Sequence, residues 1–299
     1  MIKLILLVIR KVLGTHQILN EILTIQKKNQ KQILMLNNAI STLLKERNEV
    51  VNSDVYIRLK ELLILLKPIN FQTRNLVRVG RNNDGGYVMH LNKSFEASKI
   101  AYSFGISNDV SWDYSMALYG KKVFMYDHTI DKLPYSNSNF NFFKVGLTGS
   151  KKSSDLKTLK QILDDNNHQD QSNIIMKIDI EDCEWDVLNE TTSEILSQFS
   201  QIVIEFHNLS PYLNHSKFEL VKRVLNKLNL THYVVHIHAN SDLSTSHMML
   251  DLALPELLEV TYVRKIDINE EITENVNSYP MNIDEATFSN SPDLFLGRI

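Results

Sequence analysis

Apolar residues recur at helical spacing along the first part of the chain. From about residue 13 to residue 66 there is no proline, and apolar positions between Ile33 and Val50 follow a three-four alternation. This pattern predicts one long helix or two, with a short coiled-coil seam that a second copy, a partner or the rest of the chain would cover. Lys67-Pro68 ends the helical pattern, because proline cannot donate its N–H. Residues 1–68 are therefore predicted to be an N-terminal helical extension.

Beyond residue 68 the pattern changes to short β-like runs separated by helical windows. This alternation predicts that residues 69–299 form a doubly wound α/β domain, with a mostly parallel seven-stranded sheet whose last strands form a hairpin. Ligands of such sheets bind beyond the carboxyl ends of the strands. The predicted strands are 99–104, 122–126, 141–145, 174–178, 202–206, 233–238 and 256–264, and the predicted helices are 110–118, 156–163, 184–196 and 217–228.

Composition and charge narrow the classes of function. The formal net charge is −3 and 22% of residues are charged, so nothing favours a nucleic-acid partner. Cys183 is the only cysteine, which excludes an intramolecular disulfide and a cysteine-based zinc site, and a cytoplasmic location is expected. The apolar run at residues 4–8 is shorter than the ~20 residues that span a bilayer. Lys3, Arg10 and Lys11 flank this run, so the helix would suit peripheral membrane contact, although packing against another helix is the commoner use of such a face.

A glycine turn and an acidic residue end two consecutive predicted strands. Gly105 follows the first strand, where a missing Cβ would let the backbone approach a ligand closely. Asp127 ends the next strand, at the position where doubly wound nucleotide-binding folds hydrogen-bond a ribose. The chain has neither the G-x-G-x-x-G nor the G-x-x-x-x-G-K-[ST] motif, so the pattern predicts a nucleoside pocket without a pyrophosphate loop. Capping of the following segment is the alternative role of Asp127.

Polar residues also end three later strands that should be neighbours. Asp179 emerges from an almost continuous apolar strand, with Glu181 on the same side if the chain stays extended, while His207 and His238 end two further strands. Such a group would hold a general base near neutral pH, or bind a divalent metal through Asp179, His207 and His238. We favour the base and predict no metal. The structural alternative is that Asp179 and Glu181 cap the following helix and that the histidines have no chemical role.

Several segments are similar to those of one enzyme family. The run Lys177-Ile-Asp-Ile-Glu-Asp-Cys-Glu-Trp185 resembles the FkbM-like methyltransferases, which are S-adenosylmethionine-dependent enzymes of the Rossmann-like class. The resemblance covers roughly residues 72–295 and departs at Asp182, where glycine is usual, and at Ser241, where asparagine is frequent. The other similar stretches are Arg78–Tyr87, Ser103–Gly105, Tyr126–Thr129, Ile204–His207, His236–Asn240, Leu254–Arg264, Tyr279–Glu285 and Asn290–Asp293.

The resemblance implies methyl transfer from S-adenosylmethionine to an oxygen of a sugar or another small hydroxylated acceptor, as in glycan or surface-polysaccharide biosynthesis. His207 would be the first candidate base and His238 the second, with Asp179 between cofactor and acceptor. The implied cofactor residues are Ser103, Gly105, Asp109, Asp127 and Asp179, and the implied substrate or lid residues are Arg78, Arg81, Asp84, Tyr87 and Glu181.

Three alternatives compete with these implied roles: a structural one for the hairpin and two for the whole chain. Asp84-Gly85-Gly86 is equally typical of a purely structural hairpin turn, because these residues supply positive φ angles. The whole chain would alternatively be an inactive methyltransferase-like scaffold, whose N-terminal helices bind a partner protein or a second copy. Asp182 and the missing glycine-rich motif favour that alternative. A nicotinamide oxidoreductase is disfavoured by the absent pyrophosphate loop.

Overall fold

The computed structural model describes residues 2–209, 214–239, 247–249, 252–287 and 294–298. Backbone contacts divide the chain into two compact units, Met1–Tyr56 and Ile57–Ile299. The helical region forms two helices, α1 (Ile2–Val51) and α2 (Asp54–Leu65), and the break between them is stabilised by Ser53, whose Oγ accepts a hydrogen bond from the backbone N of Tyr56. The division between these units lies inside α2, and the domain boundary at residue 68 stays a prediction.

Helix α1 carries its apolar seam on an exposed surface. Ile33, Leu36, Ile40 and Leu43 are between 45% and 64% exposed. The coiled coil stays a prediction. The side chains at positions 4–8 lie outside the described residues, and no described helix has the length and apolar character needed to cross a membrane.

A seven-stranded sheet forms the centre of the second unit, and each of the seven predicted strands has a counterpart in it. The strand order is β10-β13-β9-β8-β3-β4-β5, and all neighbours are parallel except β13, which is antiparallel to both β9 and β10. This mixed sheet is consistent with the predicted Rossmann-like class. In chain order the strands are β1 (Leu76–Val79), β2 (Tyr87–His90), β3 (Ile100–Phe104), β4 (Lys122–Tyr126), β5 (Phe140–Phe143), β6 (Gly146–Leu147), β7 (Leu156–Lys157), β8 (Ile174–Ile178), β9 (Phe199–Phe206), β10 (His232–Ala239), β11 (His247–Met249), β12 (Leu252–Leu254) and β13 (Leu258–Arg264).

The helices of this unit follow the predicted windows with two corrections. The predicted helix 156–163 begins only at Leu159, because Thr158 and Gln161 form a capping box that fixes the first turn there. The predicted helix 184–196 is two helices, because Thr191 is extended and Thr192 caps the second one through the backbone N of Ile195. The remaining helices are α3 (Lys93–Ala97), α4 (Ser111–Leu118), α5 (Leu159–Asp165), α6 (Glu184–Glu190), α7 (Ser193–Leu196) and α8 (His215–Thr231).

The predicted hairpin around Asp84-Gly85-Gly86 is confirmed, and it lies against the sheet. Strands β1 and β2 pair antiparallel from Val79↔Tyr87 outward. On the sheet side, Gln201 of β9 accepts a hydrogen bond from the backbone N of His90, and the hydroxyl of Thr261 in β13 donates to the carbonyl of Val88. The hairpin therefore packs across β9 and β13 and brings its turn-proximal end to the carboxyl end of β9.

The connections define where a ligand can bind. The chain leaves β3 toward β4 and β5 and then returns to β8 on the other side of β3. A doubly wound sheet opens a crevice at such a reversal, beyond the carboxyl ends of the two strands concerned. Gly105 follows β3 and Asp179 follows β8, so both stand at this crevice.

Candidate active site

The loop after β3 lies directly against the end of β8. Gly105 has φ +77°, and a Cβ built on it would lie 1.6 Å from the carbonyl oxygen of Asp179. The two strand ends are joined by a hydrogen bond from the backbone N of Asp179 to the carbonyl of Phe104, at 3.0 Å. Lys177 adds a bond from Nζ to the carbonyl of Gly105, also at 3.0 Å. Only glycine fits this position, for reasons of both conformation and space.

Asp127 holds this loop through four hydrogen bonds. Its Oδ2 accepts from the backbone N of Ile106 and of Ser107, at 2.8 and 2.9 Å. Its Oδ1 accepts from the backbone N and the hydroxyl of Thr129, at 2.8 and 2.6 Å. Burial acts to raise the pKa of Asp127, but the hydrogen bonds from Ser107, Thr129 and Ile106 outweigh it and lower the pKa below its ordinary value. The carboxylate is therefore ionised and anchors the loop, while its predicted contact with a ribose stays a prediction.

Two other predicted cofactor residues differ in accessibility. Ser103 is fully buried within β3, so its side chain presents no surface to a ligand. Asp109 lies in the loop after β3, where it accepts hydrogen bonds from Ser111 and lies 3.4 Å from Nε of Arg81. A Cβ on Gly85 would lie 2.1 Å from Oδ2 of Asp109, so the hairpin turn and this loop are in close contact. The hairpin thus borders the crevice.

Four carboxylates surround the imidazole of His207. The Nδ1 atom is 3.1 Å from Oε1 of Glu184, which is fully buried, while Nε2 is 3.4 Å from Oε2 of the exposed Glu181. The Nε2 atom also lies 4.0 Å from Oδ1 of Asp179 and 3.9 Å from Oε1 of Glu205. These residues come from the ends of β8 and β9 and from the start of α6, which meet at the sheet's carboxyl edge.

The net charge of His207 and its four neighbouring carboxylates depends on which of these side chains are protonated. Burial acts to lower the pKa of His207, but the hydrogen bond and charge of Glu184, followed by the charges of Glu205 and Asp179, raise the pKa to about 9. Burial and the charges of Asp179 and Glu259 raise the pKa of Glu205 well above its ordinary range. In this arrangement His207 is protonated at neutral pH, so it must lose that proton before it can act as a general base.

The chain after β8 does not stay extended as expected. Glu181 and Asp182 have φ angles of +53° and +76°, a left-handed pair that turns the chain into α6. The expected same-side placement of Glu181 by extension is therefore wrong, although the turn still brings its carboxylate to His207. Asp182 adopts the backbone conformation that glycine favours, at the position where glycine is usual. The cap at the start of α6 is Cys183, without a side-chain bond, so neither Asp179 nor Glu181 caps this helix.

The predicted lid residues have mainly local partners. The guanidinium of Arg78 donates to the carbonyls of Arg81 and Asn83, and that of Arg81 donates to the carbonyl of Asp84. Both arginines thus shape the hairpin turn. Tyr87 is different, because its fully buried ring points its hydroxyl at Oδ2 of Asp179, at 2.8 Å. A contact of these residues with substrate stays a prediction.

His238, the second candidate base, forms a pair of its own. Its Nδ1 lies 3.1 Å from Oε2 of Glu259, and both side chains are buried. In the sheet register His238 faces Glu259 of β13, which in turn faces Glu205 of β9, so acidic and imidazole groups continue across three strands. Within the described part of the chain, however, the one group of metal-type donors within 4.8 Å of each other is Asp179, Glu205 and His207. The predicted alternative set with His238 is not assembled.

Glu205 and Glu184 are site residues that sequence reasoning missed. Glu205 had a visible signal, since it interrupts the apolar strand Ile202–Phe206 and stands two positions before His207, on the same face of an extended chain. Glu184 begins α6 and gave no such signal, because acidic residues are common in the first turn of a helix. Asn240 and Ser241, and the similar stretch at 290–293, lie outside the described residues.

The fold is that of a Rossmann-like α/β domain, and ligands of such folds bind beyond the carboxyl ends of the strands at the topological switch point, here between β3 and β8. A family model described as a methyltransferase domain matches residues 63–249, more than half of the 299-residue chain. The chain belongs to this methyltransferase-domain family. Among curated proteins, no sequence matches the chain.

Proposed function

We propose that the protein is an S-adenosylmethionine-dependent O-methyltransferase of the FkbM-like type, which acts on a sugar or another small hydroxylated acceptor in glycan or surface-polysaccharide biosynthesis. The observation that carries this proposal is the crevice itself. A glycine loop anchored by the buried carboxylate of Asp127 meets the strand that ends in Asp179. Such a crevice suits a nucleoside cofactor, and the family supplies methyl transfer as the reaction.

The neighbouring polar group suits the acceptor. Asp179 lies between the cofactor loop and His207, so an acceptor hydroxyl placed beside it would be near both the cofactor and the imidazole. Methyl transfer needs little more from the protein than alignment of the acceptor with the methyl group and removal of a proton. His207 would remove the proton after passing its own to the surrounding carboxylates, of which Glu181 is exposed.

Isothermal titration calorimetry with S-adenosylmethionine and S-adenosylhomocysteine tests the cofactor directly. We expect each ligand to bind at one site per chain. The acceptor is then sought by screening a panel of hydroxylated sugars for release of S-adenosylhomocysteine from S-adenosylmethionine. Reduced nicotinamide cofactor serves as the matched control and is expected not to bind, since the chain has no pyrophosphate loop. Absence of binding by both sulfur ligands at millimolar concentration would contradict the proposal.

A second function is favoured by the exposed seam of α1. We propose that this helix forms a parallel coiled-coil homodimer, because Ile33, Leu36, Ile40 and Leu43 occupy alternating core positions and are exposed in the single chain. Dimerisation would be compatible with either an active enzyme or a scaffold. It would cover a surface that a lone helix leaves in water.

Charge placed on the seam is expected to separate the dimer. The pair Leu36→Glu and Leu43→Glu puts like charges at facing positions, so sedimentation velocity at micromolar concentration should show a monomer where the unmodified chain is a dimer. The matched control is Met35→Glu with Thr42→Glu, which changes the adjacent outer positions of the same heptads and should remain dimeric. A monomeric unmodified chain would contradict the dimer, and equal dissociation by both pairs would contradict this seam as its interface.

A further inference from the structure

The geometry around His207 points to a site for a divalent cation, formed by Asp179, Glu205 and His207. One donor atom from each of the three residues lies within 4.8 Å of the others. The Nε2 atom of His207 is 4.0 Å from Asp179 Oδ1 and 3.9 Å from Glu205 Oε1. Ligand atoms around one octahedral cation are about 3.0 Å apart when adjacent and about 4.2 Å apart when opposite, at bond lengths of ~2.1 Å. Small side-chain rotations would therefore close these three donors on one ion.

A second observation is the fixed orientation of the imidazole. Nδ1 of His207 faces Oε1 of the fully buried Glu184, at 3.1 Å, and the same oxygen accepts a hydrogen bond from the backbone N of Ile180. The indole of Trp185 donates to the carbonyl of His207 at 2.8 Å, which fixes the backbone as well. A carboxylate that holds one ring nitrogen and aims the other at a cation is the usual support of metal-binding histidines. Here the aimed nitrogen is Nε2, which faces Asp179 and Glu205.

The balance of charge also favours a cation. Among the residues that the structure describes, no lysine or arginine forms an ion pair with Asp179, Glu181 or Glu184. Lys177, the nearest lysine in sequence, directs its Nζ to the carbonyl of Gly105 and over the ring of Tyr87. Among the described residues, the imidazole of His207 is therefore the positive group that pairs with these three carboxylates. Close acidic groups repel one another unless a cation or protons lie between them.

The cation would contribute to recognition of the acceptor, a role that rests on the proposed methyl transfer. With the ion bound, Nε2 of His207 is a ligand, and the proton of the acceptor hydroxyl would pass to the exposed carboxylate of Glu181 instead. Three protein donors leave coordination positions open on a six-coordinate ion, and oxygen ligands suit Mg²⁺ and Mn²⁺. Two neighbouring hydroxyls of a sugar would fill such positions beside the cofactor crevice. Tyr87 supports the site from the hairpin, since its hydroxyl donates to Oδ2 of Asp179 and leaves Oδ1 toward His207.

Manganese titration of the whole protein tests the site without any catalytic reaction. The chelator-treated chain is titrated with MnCl₂, and the loss of the free-ion signal in electron paramagnetic resonance counts the bound ions. We expect one ion per chain, and a loss of affinity of at least about tenfold in each of Glu205→Gln and His207→Ala. Glu205→Gln replaces one carboxylate oxygen by an amide nitrogen without changing the shape of the side chain, so this variant is expected to fold and to bind S-adenosylhomocysteine as the unmodified chain does.

A histidine on the neighbouring strand pair provides the matched control. His238→Ala removes the imidazole of β10 that pairs with Glu259 of β13. This variant should leave manganese affinity unchanged, because His238 is not in the donor group. Absence of manganese binding by the unmodified chain at millimolar concentration, or equal loss in His238→Ala and His207→Ala, would overturn the assignment. Calorimetry with S-adenosylhomocysteine on the same samples tells failure of this site from failure of the proposed function.

Discussion

Replacement of Gly105 by alanine is expected to remove cofactor binding, with a fall in S-adenosylhomocysteine affinity on the order of 100-fold or more. The added Cβ would lie 1.6 Å from the carbonyl oxygen of Asp179 and 2.7 Å from its carbonyl carbon, both of them backbone atoms. The loop after β3 would have to move away from β8, although the proposed cofactor site is formed by this loop and the end of β8 together. Calorimetry measures the affinity, and circular dichroism reports whether the sheet is retained.

Gly120→Ala provides a matched control for this substitution. Gly120 has φ +76°, nearly the same as Gly105, but a Cβ there would meet no atom within 4 Å. Alanine at this position therefore bears only the cost of a left-handed backbone, about 1–2 kcal/mol, and should keep full affinity. Equal affinities of the Gly105→Ala and unmodified proteins would show that the close contact with Asp179 does not shape the cofactor site.

The predicted strands were found because burial leaves a clear trace in the sequence. All five residues of β8 are buried, and an apolar run interrupted only by Lys177 marks its full length. Strand β9 begins three residues earlier than predicted, because Ser200 and Gln201 are polar and yet fully buried. Gln201 is satisfied by the backbone of His90 in the hairpin, 111 positions away. A contact over that separation leaves no local pattern.

In the candidate site, too, some features follow from the local sequence and others depend on contacts between distant parts of the chain. Gly105, Asp179 and His207 could be predicted, because each stands at the end of a strand and parallel strands end at one edge. The hydrogen bond of Tyr87 to Asp179 could not be predicted as a geometry, since it depends on how the hairpin lies over the sheet. Likewise the anchoring role of Asp127 depends on a loop 20 positions earlier in the chain, whose amides turn toward the carboxylate.

Asp127→Ala is expected to destabilise the ligand-free protein as well as to weaken cofactor binding. The substitution removes the acceptor of two loop amides, those of Ile106 and Ser107, and of both donors of Thr129. An unsatisfied buried donor costs about 1–3 kcal/mol, so the free energy of unfolding should fall by about 2–5 kcal/mol. Chemical denaturation without ligand measures this change, and calorimetry measures the affinity for S-adenosylhomocysteine.

The comparison of the two measurements decides what Asp127 does. If the carboxylate served only to bind a ribose, the affinity would fall while the free energy of unfolding of the ligand-free protein stayed the same. Anchoring of the Gly105 loop instead makes both fall, because the loop must be in place before a cofactor can contact it. Asp131→Ala is the control, since that carboxylate is exposed, pairs with Lys144 and should change the unfolding free energy by no more than about 0.5 kcal/mol. If Asp127→Ala had the same unfolding free energy as the unmodified chain, the anchoring role would be contradicted, and ribose binding would be the remaining role of Asp127.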